Sequence, residues 1–374
     1  MSSDMAVASS SRSPVLVIGS GVAGAACAIR LRSLGVAVDL VEKATFPRAK
    51  VCGCCIGEAG LNAFTQLGIR DEVLDLGMRT RRWCASLAGR RIELAIPLGV
   101  AISREVLDPL MMQAAVRSGA NVSMNCTATI KNSSYDVVSV QLDQNATTIR
   151  QDYSCVVVAS GLRSGNCGGL LPWTEVPHGP FGISMMASSV DVEPGVIYMA
   201  CSPDGYVGLV KLADGRVDVD AALQSGQSSF ATGDPVTRVQ RILATSEFAT
   251  VELSDFSPVM TTPPLRRSRR AGHGRVLAIG DAAGYVEPFT GEGMTWGMQG
   301  AMAAADLIAA KRNDLNDVGD VWEQKLAALL RRRKRTCRVV TTALRSPAAC
   351  RIAAGTLRLF PGLATPLLRS MNKA

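Results

Sequence analysis

The sequence predicts an α/β fold: a Rossmann-like, dinucleotide-binding parallel sheet, an interleaved and largely antiparallel second region, and C-terminal helices. Three observations carry this. A strand, a glycine turn, a helix and a second strand open the chain between Val15 and Glu42. A second glycine-rich strand end, Ala278-Ile-Gly280-Asp281-Ala-Ala-Gly284, stands far downstream. Between them lie short apolar runs punctuated by Gly and Pro, whereas helical patterns dominate the chain beyond the second.

Val15–Ile18 is a β-branched run that reads as a buried parallel strand, and 22–34 carries a small, apolar helical pattern. The next strand, 36–41, ends at Glu42. In such a βαβ unit Gly19 permits the tight turn, Gly21 lets backbone approach a pyrophosphate, and Gly24 lets helix and strand pack closely. The phosphates then sit at the helix N-terminus, over Val22 and Ala23. Glu42, about 20 residues on, stands where an acid accepts ribose hydroxyls, and its charge disfavours a 2′-phosphate.

Segments 57–67 and 104–117 read as helices, the second entered through Ser103 as N-cap. Three strands are expected at 121–130, 135–142 and 147–160, an antiparallel appendage that returns the chain to the parallel sheet at Cys155 to Ser160. The strand 275–279 rejoins the first domain, and there is no internal repeat. The expected division is a disordered tail at 1–13, a nucleotide-binding domain at 14–164 and 271–310, a substrate domain at 165–270, and a C-terminal helical region at 311–374.

A site for NAD needs only the first glycine signature. The second makes sense for a longer dinucleotide, FAD, whose ribityl chain and ring system run on toward a distant segment. Asp281, at the mouth of a strand, can accept hydrogen bonds from ribityl hydroxyls. Gly291 and Gly293, between Pro288 and Met294, leave backbone bare where a helix begins, so its N–H groups and dipole can face the ring edge that becomes negative on reduction.

Composition narrows the class. At 374 residues, 47% hydrophobic, the chain exceeds one typical core. The Ser-rich start lacks the regions of a secretory signal, and no window offers the 18 or so apolar residues of a membrane span. Eleven scattered cysteines fit a reduced, cytoplasmic setting better than a disulfide framework. Cys52-Gly-Cys54-Cys55 is the exception; with no second pair and only His178 and His273 elsewhere, it reads as thiols near the ligand and not as a metal site. The net charge of +8 comes without a nucleic-acid module, and aromatics are only 5%. The basic run 331–335 reads as a solvated helix face. The apolar and Arg-bearing stretch 339–371 reads first as core-packing helix, and also fits a basic amphipathic element lying on anionic lipid.

Three motifs together resemble the flavoprotein superfamily of single-component aromatic hydroxylases, para-hydroxybenzoate hydroxylase-like, and geranylgeranyl reductases, over residues 13 to 310. They are the first glycine triplet with Glu42; Val157-Val-Ala-Ser160-Gly161-Leu-Arg-Ser164, where Ser160 replaces the usual Asp; and Gly280-Asp281-Ala-Ala-Gly284 with Pro288-Phe-Thr-Gly291-Glu-Gly293. The resemblance implies an FAD-dependent oxidoreductase with NAD(P)H as transient electron donor and the 165–270 region over the flavin. It places Arg104 at the cofactor, as it does the segment carrying Lys43, Arg48, Lys50 and Cys52, which is similar to the reductases' Pro-Arg-x-Lys-x-Cys-Gly-Gly. Here Cys54 replaces the second Gly, and the reductases' Trp-x-Phe-Pro motif is absent. Those departures put hydroxylation of a phenolic or quinol-type, lipophilic small molecule ahead. The alternatives are reduction of an isoprenoid or quinone double bond, and electron transfer. No catalytic acid or base stands in a motif; Tyr206 is a candidate only.

Overall fold

The computed structural model describes residues 13–162, 165, 167, 169–175, 179–188, 190–225, 233–285 and 291–364. Most of the expected N-terminal tail, together with His178 and Pro288, lies outside them. The helices are α1 (Val22–Ser33), α2 (Glu58–Gln66), α3 (Arg70–Leu76), α4 (Arg104–Arg117), α5 (Pro235–Ala244), α6 (Gly293–Ala310), α7 (Val318–Leu344) and α8 (Pro347–Leu359).

A six-stranded sheet forms the first layer, in the order Gly272–His273, Val276–Ala278, Cys155–Val158, Val15–Ile18, Val38–Glu42, Asn121–Met124. All neighbours pair in parallel except the short first strand. Helices cover its faces, so its strands read as continuous apolar runs; Leu16, Val17, Leu40, Val156, Val157 and Leu277 are fully buried. Helix α1 starts immediately after the glycine turn. A Cβ on Gly24 would collide with the Gly19 carbonyl oxygen, and Gly19 itself sits at φ 102. Helix α6 lies against α1 and the late strand end, where a Cβ on Gly280 would come within 2.9 Å of Ala23 Cβ.

The second layer is an eight-stranded sheet ordered Met260–Pro264, Phe181–Ala187, Val217–Leu223, Gly205–Lys211, Val196–Ser202, Met78–Leu87, Arg90–Ala101, Cys55–Ile56. It is antiparallel apart from the Val196–Ser202 and Met78–Leu87 pair. Val217, Val219, Ala221 and Leu223 pack with Val239, Ile242 and Leu243 of α5. Period-2 alternation therefore turns Asp218, Asp220 and Ala222 to the other face. Two stretches of chain build this sheet. The hairpin from Met78 to Ala101 and helix α3 belong to a region for which the sequence pattern predicts no element.

Two expected strands divide. Asn125, at φ 53, separates Asn121–Met124, an edge of the parallel sheet, from Cys126–Ser133, the first strand of a three-stranded antiparallel sheet. Ser154 likewise separates Thr147–Tyr153 from Cys155–Val158. A continuous β pattern does not reveal where a strand exchanges one partner for another. Ser103 is the N-cap of α4 by position, but its hydroxyl makes no capping bond.

The fully buried Trp322 of α7 donates its indole N–H to Ala278 O at 2.8 Å, tying the C-terminal helices to the parallel sheet. Among the described residues no helix is long and apolar enough to cross a membrane.

The glycine contacts give a stability test. Gly24→Ala is expected to destabilise the apoprotein by about 1–3 kcal/mol through overpacking against backbone. Gly300→Ala, inside α6 and with only an ordinary 3.8 Å contact to Leu326, should be neutral or stabilising, by up to about 1 kcal/mol. Denaturant unfolding of both variants measures the contrast.

Candidate cofactor and active site

A cleft of about 1130 Å³ is lined by residues of both large sheets and by residues of α1, α4, α6, α7 and α8. Of the residues singled out from sequence, Gly19, Gly21, Val22, Ala23, Glu42, Lys43, Arg48, Lys50, Cys52, Arg104, Gly161, Gly280, Asp281, Gly291, Gly293 and Met294 all lie on its wall. Gly24 stands behind the wall, holding α1 against the turn.

At one end, α1 begins on Gly21 with no side-chain cap and no acid in its first turn, so its N–H groups are left for another acceptor. A Cβ on Gly21 would lie 3.1 Å from Lys50 Nζ and 3.3 Å from Arg104 Nη2. Two cations and a positive helix end thus converge on one spot. Glu42 is buried and accepts from the Ser20 N–H at 3.0 Å and the Ala44 N–H at 3.1 Å, with Arg48 at 3.5 Å. Those bonds lock its carboxylate while leaving lone pairs for a further donor.

What holds the cations is a residue that the sequence pattern did not flag. Asp108, fully buried on α4, accepts from Arg104 Nε at 2.7 Å and pairs with Lys50 Nζ at 2.9 Å. Burial works against its charge, but Arg104 and Lys50 outweigh it and hold the carboxyl below its ordinary range. The signal was present: Arg104 and Asp108 stand one helical turn apart, the spacing of an ion pair.

Further along, Cys52 to Cys55 crosses the cleft against the start of α6. Cys52 Sγ is 3.8 Å from Met294 Sδ, and a Cβ on Gly291 would contact Cys55. A hydrogen bond from the Cys54 thiol brings Cys52 down to about 6; burial opposes this and the Arg104 charge assists it. Burial raises Asp281, partly offset by Arg104 and Lys50. Ser160 Oγ and Arg48 Nε, both on residues of the wall, are buried without a partner among the described residues. A bare helix start, facing cations and unused buried polar groups along one elongated cleft fit a dinucleotide cofactor.

The family model for the FAD binding domain matches residues 12–317. The chain belongs to that family and is an FAD-dependent oxidoreductase. It is similar to a menaquinone reductase of Mycobacterium tuberculosis, 28% identical over 334 residues that cover 84% of this chain and 79% of that one. It is also similar to digeranylgeranylglycerophospholipid reductase 2 of Methanothermobacter thermautotrophicus, 25% identical over 311 residues, 79% and 77% of the two chains. In fold it matches p-nitrophenol 4-monooxygenase of Pseudomonas putida with a TM-score of 0.78, at 14% identity and over 96% and 98% of the chains.

Asp108→Ala leaves two cations facing each other and should cost on the order of 3 kcal/mol at neutral pH. Because the folded-state carboxyl is held low, its stabilisation is present above the ordinary value near 4 and fades as pH falls through the folded value. The difference between wild type and variant in denaturant unfolding is therefore expected to shrink in acid.

Proposed function

We propose that this enzyme saturates a double bond in the isoprenoid chain of a lipid, such as a lipid quinone, with NAD(P)H as transient electron donor. One observation carries the reading: the cleft that Cys52 and Gly53 line is also lined by Trp83, Leu94, Ile96, Val340, Leu344 and Leu357, four of them in one apolar cluster that joins the large sheet to the C-terminal helices, a wall suited to a long chain. The names of the two reductase relatives support it. It reverses the order expected from the motifs, where hydroxylation stood first.

FAD would be held by the α1 turn and Glu42 at its adenosine end, by Lys50 and Arg104 at its phosphates, and by Asp281 and the Gly291–Gly293 backbone toward its ring. When bound it supplies two-electron chemistry, taking a hydride from the nicotinamide and passing the pair onward. The chain's own part is to orient the lipid over the Cys52 to Cys55 segment, exclude water with the apolar walls, and keep a positive helix end near the site of reduction. The second reading, hydroxylation of a phenol or quinol, is favoured by the aromatic lining of Trp83, Tyr206 and Tyr285 in the same cleft.

A membrane-peripheral position in the cytoplasm fits the lipid substrate. Val339 and Leu363 line the cleft and are also 70% and 59% exposed, so the cleft opens where Ile352, Leu359 and Phe360 face outward beside Arg351 and Arg358.

Two experiments test this function. Holoenzyme given NAD(P)H and a polyprenyl quinone without oxygen should yield the product with one saturated isoprene unit. Stoichiometric oxygen consumption with hydroxylated product, and no anaerobic turnover, would replace the reading by the hydroxylase. Sedimentation with anionic liposomes should fall several-fold for the triple variant Leu359→Ser, Phe360→Ser, Leu363→Ser, because each removes about 1.5–3 kcal/mol of burial; unchanged binding rejects the membrane position.

A further inference from the structure

The cleft wall carries a carboxyl pair to which no motif assigns a role. Asp218 and Asp220 project from one face of the Val217–Leu223 strand, opposite the apolar face that packs on α5. Asp220 is flanked across the ladder by Ser184 on one side and Gly208 on the other. Gly208, without a Cβ, leaves the sheet floor open beside the carboxyl. From across the cleft, Gly53 comes so close that a Cβ there would lie 3.2 Å from Asp220 Oδ2.

Among the described residues, neither oxygen of Asp220, nor Oδ1 of Asp218, nor the Ser184 hydroxyl has a partner at full hydrogen-bonding geometry. Buried polar atoms so incompletely paired, with only loose approaches among Ser184, Asp218, Asp220 and Cys54, are costly, and their concentration at one point of a cleft marks a site kept for something other than stability. The titratable groups facing the pair are one another and, from the opposite segment, Cys52, Cys54 and Cys55; all are acidic. Asp218 is raised well above the carboxyl range by burial and then by Asp220. Asp220 is raised to about 8 by burial and then by Cys52, with the nearby Ser184 and Asp218 pulling against the rise. Burial and the mutual repulsion of the two carboxyls therefore favour the protonated form of the pair.

We propose that Asp220 is the proton donor of the double-bond reduction and that Asp218 positions it, an assignment that rests on the reductase reading. The Asp220 O–H bond breaks as its proton joins one alkene carbon, which takes the π electron pair to form the new C–H bond. The other carbon takes the hydride that the reduced cofactor supplies. The alkene gains two electrons, the cofactor loses two, and the carboxylate regains its proton from water through the cleft.

The test uses holoenzyme reduced with dithionite and mixed with a polyprenyl quinone without oxygen. Asp220→Asn should keep bound FAD and its reduction by dithionite, yet form the saturated lipid about 100-fold or more slowly, the range expected on losing a general acid. Asp220→Glu should recover part of the rate. A second readout needs no turnover. A carboxyl raised on folding carries no penalty below about 4, a growing one as pH rises, and its full penalty above about 8. Asp220→Asn escapes this, so its thermal stability should gain on wild type across that window and hold level above it. Unslowed formation of the saturated lipid by Asp220→Asn, or a stability difference that ignores pH, overturns this assignment alone. A wild-type enzyme that forms no saturated lipid overturns the reductase reading and the assignment together.

Discussion

The structure depends on backbone meeting backbone at the opening turn. Gly19 bends the strand end, Gly24 lets α1 settle onto the Gly19 carbonyl, and Gly280 lets the late strand end close on Ala23. No side chain could occupy those gaps. Because they are closed, the uncapped start of α1 faces the cleft at a fixed depth, and α6 can lie against α1 with its own glycine-rich start on the same cleft. Two helix N-termini from distant parts of the chain thereby open on one elongated cleft.

Charge is distributed along that cleft in a graded way. At the α1 end, Lys50 and Arg104 are anchored by the buried Asp108, which supplies the countercharge without itself lining the cleft. Midway, Arg104 and the Cys54 thiol favour the Cys52 thiolate. At the large sheet, Asp218 and Asp220 face thiols and each other, where burial favours the neutral form. Neighbouring groups on one cleft wall thus live in opposite electrostatic regimes.

The C-terminal helices complete the walls. Trp322 pins α7 to the carbonyl end of the Val276–Ala278 strand, and α7 with α8 then closes the far end of the cleft with aliphatic side chains. The same pair leaves Ile352, Leu359 and Phe360 exposed. One element therefore serves both as cleft wall and as outward apolar surface, which suits a ligand arriving from a lipid phase.

The nucleotide-binding unit and the place of its late partner are legible in the order of residues. Strand, glycine turn, helix and acid act within a few residues of one another, and the conformations they require admit few alternatives. Arg104, Lys50 and Cys52 are also visible there, through resemblance to a motif. Long-range packing settles the rest: which strands change sheets at Asn125 and Ser154, that Met78 to Ala101 joins the larger sheet, and that Asp108 lies beneath two cations. It also turns inward the Asp-Val-Asp alternation of 218–220, a pattern that suits a solvent-facing strand equally well. Alternation states that two faces differ; which face meets water is set by the partners that α5 and the Cys52 to Cys55 segment provide from elsewhere in the chain.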